Sequence, residues 1–355
     1  MKKRIEELRK VLNKGEAALI TGDVNRIYFT GFKSSAGSVL ITKNSAVFFI
    51  DFRYFEKAQR EVRHLDVKLA QRVYSQMTEL LKEENINNIY IETDTVTLGS
   101  LKSLRKAFEG LNVSEEGKIS DKITQMRSIK TEDEIANIEK AQALTDAAFS
   151  YIQDYIKPGV TEKEIALKME FFMRERGSEG VAFDFIVVSG KNSSLPHGVP
   201  TDKKIEKGDF VTMDFGGVWN GYRSDMTRTV AVDYVTDKQR LIYDTVLAAQ
   251  KASLDIIKAG VPCAEVDRAA RDLIANAGYG DFFGHGLGHS VGLEIHESPA
   301  CSPRDNTPLK SGMIMTVEPG IYLPDEFGVR IEDMVFVTDS GYSNFTKSPK
   351  ELIIL

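Results

Sequence analysis

Histidines cluster in one short segment of this 355-residue chain. Three of its five histidines lie within residues 284–297, GHGLGHSVGLEIHE, where glycines separate them. A helix across these glycines would be destabilised by about 1 kcal/mol for each one, so we expect extended chain, with His285, Leu287 and His289 on one side. One histidine alone is usually a hydrogen-bonded core residue, whereas three, counting His296, favour a metal or substrate site.

A second candidate region reads as a β-hairpin. Residues 211–230 have the sequence VTMDFGGVWNGYRSDMTRTV. Asn220-Gly221 is a strong signal for a two-residue type I′ turn between β-type runs. Such a turn pairs Trp219 with Tyr222 and fixes the register of both strands.

Two aspartates occupy the predicted hairpin. The register places Asp214 opposite Thr227 and makes Asp225 a diagonal neighbour of Asp214 on the same face, roughly 7–8 Å away at Cα. Buried carboxylates in an apolar hairpin are unfavourable unless a cation neutralises them. The alternative is that both aspartates cap turns or face water.

Two glutamates occupy apolar segments further along the chain. Glu318 follows the run MIMTV within residues 313–322, and Glu332 lies in VRIEDMVFVT, residues 329–338. If the second segment is one continuous strand, alternation places Arg330 and Glu332 on the same face. Glu332 is then either a structural carboxylate paired with Arg330 or a metal ligand.

Together these segments offer four carboxylates to one cleft. Four like charges would repel one another, and some would take up protons. Two divalent cations remove the repulsion, and a neutral imidazole adds a further ligand without adding charge. Oxygen-rich ligation with one histidine and no thiolate suits Mn, Co, Fe or Zn. Two such ions about 3.5–4 Å apart, bridged by carboxylates and water, form a hydrolytic centre.

The elements before this region follow an α/β pattern. Residues 1 to about 125 alternate short apolar strands with helices. No glycine-rich phosphate loop occurs among them, so the pattern does not indicate a nucleotide. Strands are predicted at residues 45–51 and 88–92, and helices at residues 52–62 and 100–108.

The remainder of the chain repeats one order of elements. After a boundary near residues 125–131, Thr131 and Thr161 each precede a glutamate at capping-box spacing, which predicts two helices before a strand-rich region. The segment IKPGVTEKEI (156–165) recurs as IKAGVPCAEV (257–266), again between two helices and before a strand-rich region. We interpret this as an internal duplication, and two halves packed face to face would leave a cleft between their sheets.

Composition restricts the classes of function. Acidic residues (52) outnumber basic ones (46), and no basic stripe indicates a nucleic-acid partner. Two cysteines are too few for a disulfide framework. The charged N-terminal segment does not resemble a signal peptide, and no apolar run approaches the ~18 residues of a membrane span. We expect a soluble cytoplasmic protein with no membrane partner.

These segments resemble the M24 metallopeptidases, subfamily M24B, which share the pita-bread fold of methionine aminopeptidase, Xaa-Pro aminopeptidase and prolidase. The resemblance covers nearly the whole chain. It implies a creatinase/prolidase-type α/β domain at 1–125 and a pita-bread catalytic domain with an internal pseudo-two-fold repeat at 126–355. The motifs that carry it are NRIYFTGF (25–32), FFIDFRYFEKA (48–58), RSIKTEDEI (127–135), LPHG (195–198), MDFGGVWNGYRSDMTRT (213–229), GHGLGHSVGLEIHE (284–297), TVEPGIY (316–322) and GVRIED (328–333).

The resemblance also implies roles for individual residues. Asp225 and Glu332 would bridge two divalent ions, Asp214 would complete one site, and His289 with Glu318 the other. Glu318 would also move a proton, and Arg330 would orient Glu332 or contact the substrate. The catalytic and substrate-binding histidine positions of the family fall on His197, His285 and His296.

The function that the resemblance implies is hydrolysis of the bond between an N-terminal residue and a following proline. A hydroxide bridging two metal ions would attack the scissile carbonyl. We expect manganese, with Co, Zn or Fe as alternatives, a short proline-containing peptide as substrate and a homodimer. Two readings compete, a metal-free creatinase-like amidinohydrolase and a non-catalytic binding module. A methionine aminopeptidase is less favoured, because those enzymes generally lack the N-terminal domain.

Overall fold

The computed structural model describes residues 1–355. They form two compact units, Met1–Arg127 and Ser128–Leu355. The elements that begin in the first unit are α1 (Lys2–Arg9), β1 (Glu16–Ile20), α2 (Asp23–Thr30), β2 (Ser38–Thr42), β3 (Ala46–Ile50), α3 (Phe52–Glu61), β4 (Asp66–Leu69), α4 (Val73–Glu83), β5 (Asn88–Ile91), α5 (Leu98–Ala107), β6 (Asn112–Ser114) and α6 (Lys118–Ser128).

The first unit is built on one six-stranded sheet, in the order β4-β3-β2-β1-β5-β6. Strand β2 pairs antiparallel with both β1 and β3, and the remaining pairs are parallel. The central strands are continuous apolar runs that are buried along nearly their whole length, as sheets covered on both faces require. The predicted strands and helices of this unit are confirmed as β3, β5, α3 and α5.

The second unit contains the repeated order of elements. Its first half comprises α7 (Glu132–Gln153), α8 (Glu162–Glu175), β7 (Ile186–Ser189), β8 (Phe210–Phe215), β9 (Val218–Trp219), β10 (Tyr222–Arg223) and β11 (Met226–Ala231). Its second half comprises α9 (Asp237–Ile256), α10 (Cys263–Asn276), β12 (Gly288–Ser290), β13 (Glu297–Cys301), β14 (Ile314–Val317), β15 (Gly320–Leu323), β16 (Phe327–Arg330), β17 (Asp333–Val337) and β18 (Tyr342–Asn344).

The two halves share one topology. In the first, β8 lies between β7 and β11, and all pairs are antiparallel. In the second, β14 lies between β12 and β17, again with antiparallel pairs. A small separate hairpin connects the middle strand to the third strand in both halves, β9–β10 in one and β15–β16 in the other. The predicted duplication is therefore confirmed in the order and pairing of the elements.

Side-chain caps fix the start of three helices in this unit. Thr131 and Thr161 form complete capping boxes with the glutamates three residues later, as predicted. Thr236 forms a third capping box at the start of α9. At the start of α10 the corresponding residue is Pro262, which provides no side-chain cap.

The hairpin of the first half has the predicted register. Asn220 and Gly221 both have positive φ angles, 48° and 84°, which a type I′ turn requires. Trp219 pairs with Tyr222, and the same register continues past the turn. Four residues before the hairpin begins, Asp214 lies opposite Thr227, as predicted.

The continuous strand predicted over residues 329–338 is wrong. The chain forms β16 and β17 with a break at Ile331 and Glu332. The neighbouring chain breaks at the same level, because Pro319 separates β14 from β15 and has no N–H for a ladder bond. The amide of Glu332 instead donates to the carbonyl of Thr227, 3.1 Å away. The break places Glu332 between two sheets.

Two apolar clusters anchor the halves of this unit. One joins α7 and α8 to β8 and β11, and the other joins α9 and α10 to β14, β16 and β17. Each sheet therefore packs one face on its own helix pair. No helix of the structure is long and apolar enough to cross a membrane.

Candidate active site and metal centre

A cavity of about 700 Å³ opens in the second unit. Both halves contribute to its walls. Every sequence-predicted site residue lines it: Asp214, Asp225, His197, His285, His289, His296, Glu318, Arg330 and Glu332. The segments Phe183–Ile186 and Pro196–Pro200, together with Ile295 and Ala300, complete much of the wall.

Three carboxylate oxygens in this cavity are buried and have no hydrogen-bond partner. They are Oδ1 of Asp214, Oδ1 of Asp225 and Oε1 of Glu332. Buried polar atoms are almost always satisfied by a hydrogen bond, so three orphaned acceptors in one place require another partner. Divalent cations of the oxygen-preferring kind supply such a partner. The donor set therefore fits bound metal.

His289 completes this arrangement from β12. Its Nδ1 lies 3.1 Å from the carbonyl oxygen of Ser290, which can only accept, so Nδ1 carries the proton. This leaves Nε2 unprotonated, 3.4 Å from Glu318 Oε1 and 3.6 Å from Asp225 Oδ2. Possible ligand atoms of Asp225, His289 and Glu332 all lie within 4.8 Å of one another. A backbone carbonyl that fixes the tautomer is the usual support for a metal-binding histidine.

Burial and mutual repulsion shift the acidities of the cluster. Burial, together with the neighbouring carboxylates, raises the pKa of Asp225 and of Glu332 well above the ordinary range. Burial raises the pKa of Glu318 to about 8. Burial, with the neighbouring His296, lowers the pKa of His289 to about 4, so its imidazole is neutral. The site therefore favours proton or metal cations next to its carboxylates and keeps its imidazole ready to coordinate.

Arg330 is the fixed cation of the site. Its Nη2 donates to Asp214 Oδ2 (2.6 Å) and its Nη1 to the hydroxyl of Tyr322 (2.7 Å). Its Nε donates to Thr227 Oγ1 (3.0 Å). The expected pairing of Arg330 with Glu332 is therefore not direct, because the break between β16 and β17 separates them and Asp214 takes the guanidinium.

His285 belongs to the same hydrogen-bond network. Its Nδ1 lies 2.8 Å from the carbonyl oxygen of Gly286 and its Nε2 lies 3.0 Å from the Tyr322 hydroxyl. Because Arg330 donates to this hydroxyl, the hydroxyl proton points to Nε2, and Nδ1 carries the ring proton. Burial, with the nearby Arg330, lowers the pKa of His285 to about 4. The imidazole is thus neutral with both nitrogens engaged.

The sequence predicted that His285, Leu287 and His289 lie on one side of the glycine-rich segment, and this prediction is wrong for Leu287. Only Gly288–Ser290 forms a strand. Leu287 is fully buried in the hydrophobic core, and its amide donates to Asp267 Oδ1 at 3.0 Å. His285 and His289 line the cavity. Gly288 allows the backbone of this segment to lie close to that of Thr316, because a Cβ at Gly288 would lie 2.1 Å from the carbonyl oxygen of Thr316.

The two remaining histidines are the accessible ones. His296 is exposed, and its ring meets that of His289 edge-on, with 4.4 Å between the centroids. His197 is exposed between Leu195 and Val199, whose side chains also face solvent. These two imidazoles line the cavity and are exposed to solvent, so a ligand that enters the cavity could reach them.

Two polar residues of the site received no role from the sequence, Thr227 and Tyr322. Tyr322 connects His285 to Arg330, and Thr227 connects Arg330 to Glu332. For Thr227 a signal existed, because the hairpin register placed it opposite Asp214. For Tyr322 the only signal was its place in the motif TVEPGIY.

Comparisons with known proteins identify the family of the chain. The model of metallopeptidase family M24 matches residues 136–339, and that of the creatinase/prolidase N-terminal domain matches residues 4–129. The chain belongs to metallopeptidase family M24. The family binds divalent metal, which the orphaned oxygens of Asp214, Asp225 and Glu332 independently favour.

Relatives of this M24 metallopeptidase match it over its full length. It is 41% identical over 356 residues to a Xaa-Pro dipeptidase from Pyrococcus furiosus. The aligned region covers 99% of this chain and 100% of that protein. Among solved structures, a Xaa-Pro dipeptidase from Bacillus anthracis has a TM-score of 0.95 at 43% identity, covering 99% of each chain. An X-Pro aminopeptidase from Thermotoga maritima has a TM-score of 0.91 at 36% identity, covering 99% of this chain and 100% of the other.

Proposed function

We propose that this metallopeptidase hydrolyses the peptide bond between an N-terminal residue and a following proline. The observation that carries the proposal is the group of three buried, unpartnered carboxylate oxygens beside an unprotonated imidazole nitrogen. Relatives named as Xaa-Pro dipeptidase and X-Pro aminopeptidase support the choice of substrate. Both an aminopeptidase and a dipeptidase are compatible with the chemistry.

The proposed ligands are Asp214, Asp225, His289, Glu318 and Glu332, and they would hold two divalent ions. When bound, such ions activate water near neutral pH and neutralise the charge that develops on the carbonyl oxygen. Manganese is the metal we propose, since oxygen-rich ligation with a single imidazole suits it. Asp225 and Glu332 are the proposed bridging ligands.

Glu318 is the proposed proton carrier. Burial raises the pKa of Glu318 to about 8 in the metal-free protein, and bound cations would lower it again toward the working pH and below. A general acid–base group works best when its pKa is close to the working pH. Glu318 would take the proton of the attacking water and deliver it to the leaving nitrogen.

The exposed histidines would contact the substrate. His296 lies at the rim beside His289, where its N–H can donate to the scissile carbonyl oxygen and stabilise the oxyanion. His197 would bind the substrate backbone. His285 would form a fixed neutral wall, because Gly286 and Tyr322 hold both of its nitrogens.

The apolar part of the cavity suits proline. Proline lacks the amide N–H, so its ring must be recognised by shape and apolar contact. Phe183, Phe185, Ile186, Val199 and Pro200 supply an apolar wall to the same cavity as the carboxylates. We propose that this wall binds the pyrrolidine ring.

The test is hydrolysis of Ala-Pro, Ala-Pro-Ala and Ala-Ala by metal-stripped protein reloaded with Mn²⁺. Cleavage of Ala-Pro alone identifies a dipeptidase, and preferred cleavage of Ala-Pro-Ala identifies an aminopeptidase. Asp225→Asn should be inactive, whereas Asp244→Asn, on an exposed face of α9, should retain activity. Two bound ions without cleavage of either proline peptide would refute the proposed specificity.

Metal binding itself separates the competing functions. Counting Mn²⁺ per chain by mass spectrometry should give two. Failure to bind any ion would favour a metal-free amidinohydrolase or a binding module. The homodimer implied by the resemblance stays a prediction, which light scattering after size-exclusion chromatography tests.

A further inference from the structure

Thr227 occupies an unusual position next to the carboxylates. It lies in β11 opposite Asp214, and its side chain is fully buried. Its hydroxyl oxygen lies 3.0 Å from Arg330 Nε and 2.8 Å from Glu332 Oε2. Its backbone carbonyl also accepts the amide of Glu332, at 3.1 Å. Thr227 therefore holds Glu332 at two points.

The direction of these hydrogen bonds follows from their chemistry. A guanidinium nitrogen can only donate, so the Thr227 hydroxyl accepts from Arg330. The hydroxyl has one proton of its own, and Glu332 Oε2 is the acceptor within reach. The proton is thus committed to that oxygen.

This hydrogen bond fixes the orientation of the Glu332 carboxylate. Oε2 is occupied by Thr227, whereas Oε1 is buried without a partner. Asp214 shows the same division, because Oδ2 accepts from Arg330 and Oδ1 has no partner. One guanidinium thus orients two carboxylates, Asp214 directly and Glu332 through the threonine hydroxyl.

We propose that Thr227 is a positioning residue, whose hydroxyl fixes the orientation of the Glu332 carboxylate toward the metal and couples it to that of Asp214. The proposal rests on the proposed function, because it assigns Glu332 as a ligand. Without the hydroxyl, the carboxylate would rotate about its terminal bond, and Arg330 Nε would lose its acceptor. The two halves of the ligand set would no longer be held by one hydrogen-bond chain.

Isosteric substitution tests the proposal. Thr227→Val keeps the shape and removes the hydroxyl, and Thr227→Ser keeps the hydroxyl. The matched control is Thr212→Val, because Thr212 is also buried in this sheet but its hydroxyl bonds to Thr229 (3.0 Å) rather than to Arg330 or a carboxylate. Mn²⁺ affinity and stoichiometry are measured by calorimetry, and the coordination by electron paramagnetic resonance of bound Mn²⁺.

We expect Thr227→Val to bind at least one Mn²⁺ about 10–100-fold more weakly, as is typical when an outer partner of a ligand is lost. Its Mn²⁺ spectrum should change, while Thr227→Ser and Thr212→Val should match the unmodified protein. Wild-type affinity and spectrum in Thr227→Val would overturn the proposal, as would an equal loss in Thr212→Val.

Two further outcomes are distinguishable. If Thr227→Val does not fold by circular dichroism, Thr227→Ala and Thr227→Ser replace it as a pair, and equal Mn²⁺ affinity in the two would refute the role of the hydroxyl. If the unmodified protein itself binds no pair of ions, the proposed function fails first and the assignment of Thr227 falls with it.

Discussion

The two halves of the catalytic unit place carboxylates at equivalent points. In the first half Asp214 lies near the end of the middle strand, β8, and Asp225 directly precedes the third strand, β11. In the second half Glu318 directly follows the middle strand, β14, and Glu332 directly precedes the third strand, β17. A duplicated scaffold thus produces a four-carboxylate cluster from two copies of one simple arrangement.

The halves differ in what else they supply. Among the proposed ligands, those of the first half are all carboxylates. The second half adds the neutral imidazole of His289 and the cation Arg330, which donates to Asp214 of the first half. It also has glutamates where the first half has aspartates, so each of its side chains is one methylene longer. The repeat thus accounts for the equivalent positions of the four carboxylates, whereas His289 and Arg330 belong to one half only.

The strongest test of this equivalence replaces the two residues that precede the third strands. Asp225→Asn and Glu332→Gln should each lower Mn²⁺ affinity by more than about 100-fold, beyond the loss typical of outer partners. Calorimetric titration with Mn²⁺ compares them. A variant that kept both ions at wild-type affinity would break the correspondence between the halves.

The next largest effect, on the free energy of unfolding, concerns two glycines that lie beside the proposed ligands. A Cβ at Gly216, in the first half, would lie 1.9 Å from the carbonyl oxygen of Ser224, and one at Gly288, in the second half, 2.1 Å from that of Thr316. Both alanine variants should lose about 1–3 kcal/mol of unfolding free energy, as overpacking typically does. Gly284→Ala is the control, because nothing lies within 4 Å of its Cβ. Denaturant unfolding measures all three, and equal stability would contradict the steric argument.

Proton release measures the charge held by each half. In the metal-free protein burial raises the pKa of Glu318 to about 8, and burial with the neighbouring carboxylates raises those of Asp225 and Glu332 well above their ordinary range. Metal requires the deprotonated form. Mn²⁺ binding should therefore release protons, and the affinity should fall as the pH drops from about 8 to 6.

Calorimetry in buffers of different ionisation enthalpy measures that release. Asp225→Asn removes the first-half contribution, whereas Glu332→Gln removes one from the second half. A binding enthalpy that is independent of the buffer would show that the cluster is already deprotonated.

The smallest expected effect, on the free energy of unfolding, concerns how the second helix of each half begins. Thr161 caps α8 in the first half, but Pro262 occupies the equivalent position in the second and gives no side-chain cap. Thr161→Ala should reduce the unfolding free energy by about 1 kcal/mol, and Thr161→Ser should restore it. Thermal unfolding checks this, and an unchanged midpoint in Thr161→Ala would mean that packing alone fixes the start of α8.

Local chemistry explains which structural features were predictable from the sequence. The hairpin register followed from the positive-φ turn at Asn220-Gly221, and the helix starts followed from capping boxes. The bond between Arg330 and Asp214 joins residues 116 apart, and no local pattern encodes such a contact. The prediction of one continuous strand over residues 329–338 was wrong because the pattern within that segment contains no sign of Pro319, which interrupts the neighbouring strands.

The guanidinium of Arg330 has a consequence for how the protein acquires its metal. Its positive charge offsets part of the negative charge of the surrounding carboxylates without any metal. We therefore expect the chain to fold before metal binds, and a chelator to remove the metal without unfolding the protein. The bound ion would then be determined by the free cations available to the folded protein.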